Sequence, residues 1–207
     1  MKNEPLFKYV AAAGLAALVL AFAGSAHALD SGEVTRSGTY TTSRGASGTT
    51  SSVTTRSDGV VTRQGSWTNA SGGKGTWQSQ STWDKETKTA TITGSATRPN
   101  GATVSWQATA TRTAPGLISE KGTITRANGK QSTFTGTRTR LAPGSWDKEE
   151  TITTAGGATI HRSVTSTVAE GKGTRTVKTT LPDGTIVTKS ETFTEDGPAA
   201  PSRAPAS

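Results

Sequence analysis

The sequence predicts an all-β protein: a repetitive antiparallel β-meander of about twelve strands, with a strand-turn spacing of about 14 residues and a hairpin repeat of about 28. Three observations carry this. Turn signals recur at Asp58-Gly59, Gly72-Gly73, Lys85-Glu86, Asn100-Gly101, Pro115-Gly116, Asn128-Gly129, Pro143-Gly144, Gly156-Gly157, Gly171 and Asp183-Gly184. Between them lie runs rich in Thr, Val, Ile and aromatics that alternate with a period of two, as half-buried strands do. No stretch after residue 30 shows a helical period, and the spacing extends back to residues 33–42.

The repeat is visible in the text. Thr111–Gly116 (TRTAPG) returns as Thr139–Gly144 (TRLAPG), and Thr97–Gly101 (TRPNG) returns as Thr125–Gly129 (TRANG). Such self-similarity marks a repeat architecture. The register follows from turn chemistry. A three-residue loop at Pro99-Asn100-Gly101, a type I turn closed by a left-handed glycine, sets Thr97 opposite Thr103 and Ser95 opposite Ser105. The other face then pairs Ala96 with Val104, Ile92 with Ala108 and Gly94 with Trp106. A one-residue slip would mix the two faces throughout.

The same rule puts Gly122 opposite Phe134, and Gly173 opposite Phe193 with Arg175 facing Glu191. Around Gly156, Ile152 faces Ile160 and Glu150 faces Arg162. Glycine opposite a ring lets the ring cover bare strand backbone. A loop at 71–73 would set Trp67 against Trp77, while Ser57-Asp58-Gly59 sorts poorly under the three-residue rule.

One face is thus nearly all hydroxyl. Threonine fits a pleated surface, pairs across strands and stays wetted. The other face is thin, built from Ala, Gly, Ile, Val and a few rings, and it must be covered. A closed barrel, a folded-back sandwich and an extended sheet all remain open at this level. The hydroxyl ranks at Thr89, Thr91, Thr93 and Thr97 resemble in pattern those of ice-binding β-proteins, a use that requires a flat sheet.

Residues 1–28 read as a signal peptide, with Lys2 and Lys8 ahead of apolar Val10–Ala23 and a small-x-small site at Ala26-His27-Ala28. Residues 29–194 then form one repetitive β domain, and 195–207 a disordered Pro/Ala-rich tail. The expected location is periplasm, cell surface or medium. There is no cysteine, so no disulfide framework supports the fold. Of 23 basic and 15 acidic residues, removing Lys2, Lys8 and Glu4 leaves 21 and 14, a net charge of +7.

Catalysis finds little support. His161 is the one histidine after the leader, at a threonine-type position, and no G-x-S-x-G elbow is present. Asp84, Glu86, Asp147, Glu149 and Glu150 fall in two copies of W-D-K-E, which read as turns with solvated charges beside Lys85, Lys88 and Lys148. Neither a metal nor a small-molecule cofactor is expected.

The cations say more. Arg98, Arg112, Arg126 and Arg140 are spaced 14 apart, each just before a turn, which sets two on each rim of a meander. Periodic cationic rims suit an anionic polysaccharide, lipopolysaccharide or extracellular DNA. Such charges also deter edge-to-edge pairing. Trp67, Trp77, Trp83 and Trp146 are candidates for stacking on sugar rings; Trp106 belongs with Ile92 and Val104 in the core.

The expected function is an exported, non-enzymatic structural or interaction protein of the bacterial envelope, self-assembling through sheet edges or holding anionic polymer. One alternative is an outer-membrane β-barrel, favoured by strand length, strand number and alternation. Against it stand Glu120, Arg138, Glu150 and Arg162 on the face lipid would touch, few Tyr or Phe for girdles, and no long loops on one side. The other alternative is a carbohydrate-binding or carbohydrate-acting β protein.

Overall fold

The computed structural model describes residues 31–196, in which twelve strands follow one another: β1 (Ser31–Thr42), β2 (Ser47–Ser57), β3 (Val60–Asn69), β4 (Lys74–Asp84), β5 (Thr89–Thr97), β6 (Thr103–Ala114), β7 (Leu117–Arg126), β8 (Gln131–Ala142), β9 (Ser145–Thr153), β10 (Thr159–Ala169), β11 (Lys172–Thr180) and β12 (Ile186–Asp196). Each pairs antiparallel with its chain neighbours, and β1 pairs with β12, so the sheet closes into a barrel. The signal segment and the residues after Asp196 lie outside the described part. The tail was expected two residues too early: Glu195 and Asp196 complete β12, and Glu195 pairs with Arg36 across the closing seam.

The 28-residue repeat is an alternation of two ends. At one end every connection is a three-residue loop closed by a left-handed glycine: Gly45, Gly72, Gly101, Gly129, Gly157 and Gly184, with φ from 74° to 82°. At the other, Asp58-Gly59 and Glu170-Gly171 form two-residue turns with positive φ at both positions, the twist that matches right-handed strands. Pro115-Gly116 and Pro143-Gly144 have positive φ only at glycine. Such turns splay a hairpin, and each is accompanied by a bulge, at Arg112/Ala114 and Arg140/Ala142.

The pairings expected from loop chemistry hold for β5–β6, β7–β8, β9–β10 and β11–β12, down to Gly94 opposite Trp106 and Glu150 opposite Arg162. The β3–β4 hairpin is different. Gly72 rather than Gly73 takes the left-handed position, so the loop is 70–72 and Trp67 faces Gly75 while Trp77 faces Gly65. The two rings do not face each other; each covers a glycine. At Asp58-Gly59 a two-residue turn replaces the three-residue rule.

The hydroxyl face points outward. Along β5, Thr91, Thr93 and Thr97 are exposed while Ile92 and Ala96 are buried, and β8 repeats the pattern with Phe134 and Arg138 inside. Hydroxyls meet across strands at Thr89–Thr111 (2.9 Å) and Thr167–Thr174 (2.9 Å). Glu120, Arg138, Glu150 and Arg162 therefore lie inside the barrel, not on a lipid-contacting surface. The objection they raised to a membrane barrel falls. In its place, what the wall presents to its surroundings is mostly threonine and serine. Closure also removes the open edges that edge-to-edge assembly needs, and it bends the threonine ranks away from the plane an ice lattice requires.

An apolar cluster of Ile92, Ala96, Val104, Trp106, Ala108, Ala110, Phe134, Ile152 and Ile160 fills the interior against β5–β10, with Trp67 and Trp77 packed on it. Its rings need their glycines. A Cβ on Gly94 would meet the Trp106 ring at 2.1 Å, and one on Gly122 would meet Phe134 at 2.6 Å.

Two outcomes follow from this packing. Gly94→Ala lowers stability by about 1–3 kcal/mol through overpacking, read as a drop in denaturant midpoint, while Gly156→Ala, with nothing near the new methyl, leaves the midpoint unchanged. Closure also removes strand addition as a route to assembly, so the size-exclusion mass is expected not to grow with concentration into open-ended species.

Candidate functional site

The β1–β3 and β7–β12 side of the interior is charged. Four carboxylates, Glu120, Glu150, Glu191 and Glu195, project inward. They stand among eight inward cations: Lys148 and Arg162, Arg36 and Arg175, Arg56 and Arg63, Arg138 and Lys189. Each position obeys the same alternation that buries Ile92. A strand cannot turn a charged residue outward without turning its apolar neighbours outward too.

The most deeply buried charges form a chain across β7, β9 and β10. Lys148 Nζ donates to Glu120 Oε2 at 2.5 Å and lies 3.1 Å from Glu150 Oε1; Arg162 Nη2 pairs with Glu150 Oε2. Lys148 and Arg162 are about 1% exposed, so only mutual pairing makes their ionised forms tolerable. Between β11 and β12, Arg175 pairs with Glu191 at 3.6 Å, and across the seam Thr50 Oγ1 donates to Glu191 at 2.8 Å.

These pairs leave an excess of positive charge, which the neighbouring groups register. Burial, then the charges of Arg56, Arg36, Arg138 and Arg175, push the Arg63 guanidinium down to about 9. Burial brings Arg138 down to about 10, with Glu120 opposing. Lys189 is lowered by burial against the pull of Glu191 and sits 4.5 Å from the Tyr40 ring centre. Arg36 and Arg175 both lie over Phe193, at 4.0 Å and 5.9 Å.

The rim arginines fall where their spacing placed them. Arg98 and Arg126 sit at the three-residue-loop end, and burial followed by Arg126 lowers the Arg98 pKa. Arg112 and Arg140 sit at the other end. Arg112 lies 5.8 Å over the Trp83 ring, and Arg140 Nε donates to the Ala142 carbonyl at 3.5 Å. Of the candidate stacking rings, Trp67 and Trp77 face inward onto the apolar cluster. Trp83 and Trp146 are half-buried toward the two-residue-turn end, Trp146 with Arg138 at 5.5 Å. None of the four stands on the outer wall.

The two W-D-K-E copies part company. The first is a turn as expected, with Asp84 Oδ1 accepting from the Glu86 N–H (2.8 Å) and the Thr87 N–H (3.3 Å). The second is no turn: it lies in β9, where Lys148 and Glu150 are buried and Glu149 is exposed. His161 is exposed, 3.4 Å from the Thr151 hydroxyl. It borders a shallow outer hollow of about 600 Å³ among Thr109, Lys121, Thr135 and Glu149. No group of His, Asp and Glu among the described residues could hold a metal ion.

Removing one member of the buried chain isolates the rest. Glu150→Ala leaves Arg162 and Lys148 sharing too little negative charge and costs about 3–5 kcal/mol. Glu149→Ala, one residue away and exposed, changes the unfolding midpoint little. Equal effects would mean that the charged interior is not a structural unit.

No protein-family model matches the chain, and no curated protein sequence matches it. Solved structures do. The KdgM porin superposes with a TM-score of 0.56 at 7% identity, over 79% of this chain and 97% of that one. The KdgM porin in complex with disordered oligogalacturonate superposes with a TM-score of 0.55 at 7% identity, over the same shares of the two chains. At such identity the likeness is one of fold, and the protein shares the closed antiparallel barrel of these porins.

Proposed function

We propose that the protein is an exported, non-catalytic binding barrel that holds an anionic polysaccharide at its cationic ends. One observation carries this reading: both ends bear paired arginines, backed by an inner wall with twice as many cations as carboxylates. A focused positive field of this kind draws polyanions and raises their association rate. The barrel-shaped neighbour bound to oligogalacturonate, a polyanionic sugar chain, supports the ligand class. At the two-residue-turn end, Trp83 stands beside Arg112. That gives the mouth an apolar surface for a sugar ring next to a donor for its carboxylate.

An outer-membrane barrel is the second reading, and likeness to porin folds favours it. Weighing against it, lipid-facing barrels carry an outward apolar band about 25 Å tall, and here the outward residues are mostly hydroxyls, with Gln78, Lys121, Glu149 and Lys178 among them. Extraction separates the two. The water-facing barrel stays soluble without detergent, and a membrane barrel requires detergent and runs with heat-modifiable mobility.

Binding is tested by retention on immobilised oligogalacturonate across a salt gradient. With about 0.4 kcal/mol for each exposed charge, alanine at Arg98, Arg112, Arg126 and Arg140 together weakens binding roughly tenfold. Unchanged retention would remove the polysaccharide reading. Equal retention on lipopolysaccharide or DNA would leave only a general polyanion affinity.

A further inference from the structure

The barrel interior contains charged donors that the protein itself does not satisfy. Arg138 Nη1 and Arg175 Nε have no hydrogen-bond partner among the described residues, although the two residues are only 6% and 8% exposed. A buried polar group left unmade costs about 1–3 kcal/mol, and more when it is charged. Each of the two is also held in place. Arg175 is fixed by Glu191 on one side and the Phe193 ring on another, and Arg138 by the Trp146 ring. Phe193 is itself clamped between Gly38 and Gly173, where a Cβ would meet it at 2.7 Å and 2.2 Å. A guanidinium lying over a ring keeps its N–H edges free to point elsewhere.

The surplus charge gathers at the same place. Arg36, Arg56, Arg63, Arg138 and Arg175 all lie in the halves of their strands nearer the two-residue-turn end. They come from β1, β2, β3, β8 and β11, so they approach from both sides of the lumen, and each of the other four acts on Arg63.

We propose that the barrel interior binds a small oxyanion, with Arg138 and Arg175 as its hydrogen-bond donors and Arg36, Arg56 and Arg63 supplying the field. The ligand chemistry is that of a phosphate or a carboxylate, whose several acceptor oxygens match guanidinium edges. Such an ion offsets the excess of positive charge that the interior carbon framework cannot screen. It enters from the two-residue-turn end, where Arg56 and Arg36 are only half-buried. The site is separate from the rim arginines and does not depend on the rims holding polysaccharide.

Calorimetric titration of the exported chain with inorganic phosphate, at constant ionic strength in chloride, tests the proposal. Saturable one-to-one binding is expected, with a higher Tm in phosphate than in an equivalent chloride solution. A uronic-acid monosaccharide run in parallel distinguishes phosphate from carboxylate. Binding of neither overturns the site; binding of either upholds it when the interior variants below abolish it.

Arg138→Gln with Arg175→Gln is expected to weaken the interaction at least tenfold, whereas Arg98→Ala with Arg126→Ala leaves it intact. The reverse pattern would assign the binding to the rim and overturn the interior site. Should the double glutamine variant fail to fold, the Arg175 Nε–H resonance of the unmodified protein decides. It shifts on phosphate addition if the site exists, and an unmoved resonance overturns the proposal. Loss of this site with retention on oligogalacturonate preserved would leave the rim reading standing.

Discussion

The pairing of β1 with β12 is the constraint from which the rest of the molecule follows. Once the sheet is closed, each strand has one inward and one outward face, and strict alternation assigns every residue to one of them. Twelve strands enclose more space than Ala, Gly and Val can fill, since eight already make an interior just wide enough for side chains. The volume is taken up by two means. Rings lie flat over glycines of the adjacent strand, as Trp106 does over Gly94 and Phe193 over Gly173. Long charged side chains, Lys148 and Arg162 among them, occupy much of the remainder.

That solution divides the interior by chemistry. Against β5 and β6 the filling is apolar; from β7 round to β3 charged side chains stand among or replace the apolar ones, with cations in excess. The hydroxyl wall outside complements this arrangement. With only 30% hydrophobic residues in the whole chain, little apolar surface remains for the exterior, and threonine supplies strand preference without it. Relative to a lipid-embedded porin, the barrel shape is retained while the polarity of the outer wall is exchanged.

Much of the sheet was legible in the sequence because loop chemistry is local. Asn-Gly and Asp-Gly sites set the frame of three hairpins, and Gly156-Gly157 that of a fourth, and with it Gly94 under Trp106, Gly122 opposite Phe134 and Arg175 opposite Glu191. The frame failed where several small residues compete. In Ser71-Gly72-Gly73 either glycine can turn left-handed, and choosing the wrong one moved Trp67 two residues from its partner. Closure was not legible, because it joins strands at opposite ends of the described chain and has no connecting loop to read. The buried chain was half legible. Glu150 opposite Arg162 followed from register, but Lys148 was assigned to solvent because an identical tetrapeptide, W-D-K-E, makes a turn at Trp83–Glu86 and a strand at Trp146–Glu149. The inward cations were visible one by one. Their convergence required knowing that β1–β3 face β8 and β11 across one lumen.

The topology also has a consequence in time. Every strand pairing but one joins neighbours in the chain, so eleven hairpins can form by short loop closures, each on the scale of about 1–10 μs. The remaining pairing, β1 with β12, must bring together residues as far apart as Arg36 and Glu195. The entropy of that single closure grows only slowly with the length enclosed. It is nonetheless the step at which the ribbon first acquires an inside, so the buried ions lose their water then and not before. Folding is in this sense a local process with one global event. The Arg36–Glu195 pair at the seam, two opposite charges on the two strands that must find each other, is placed to guide it.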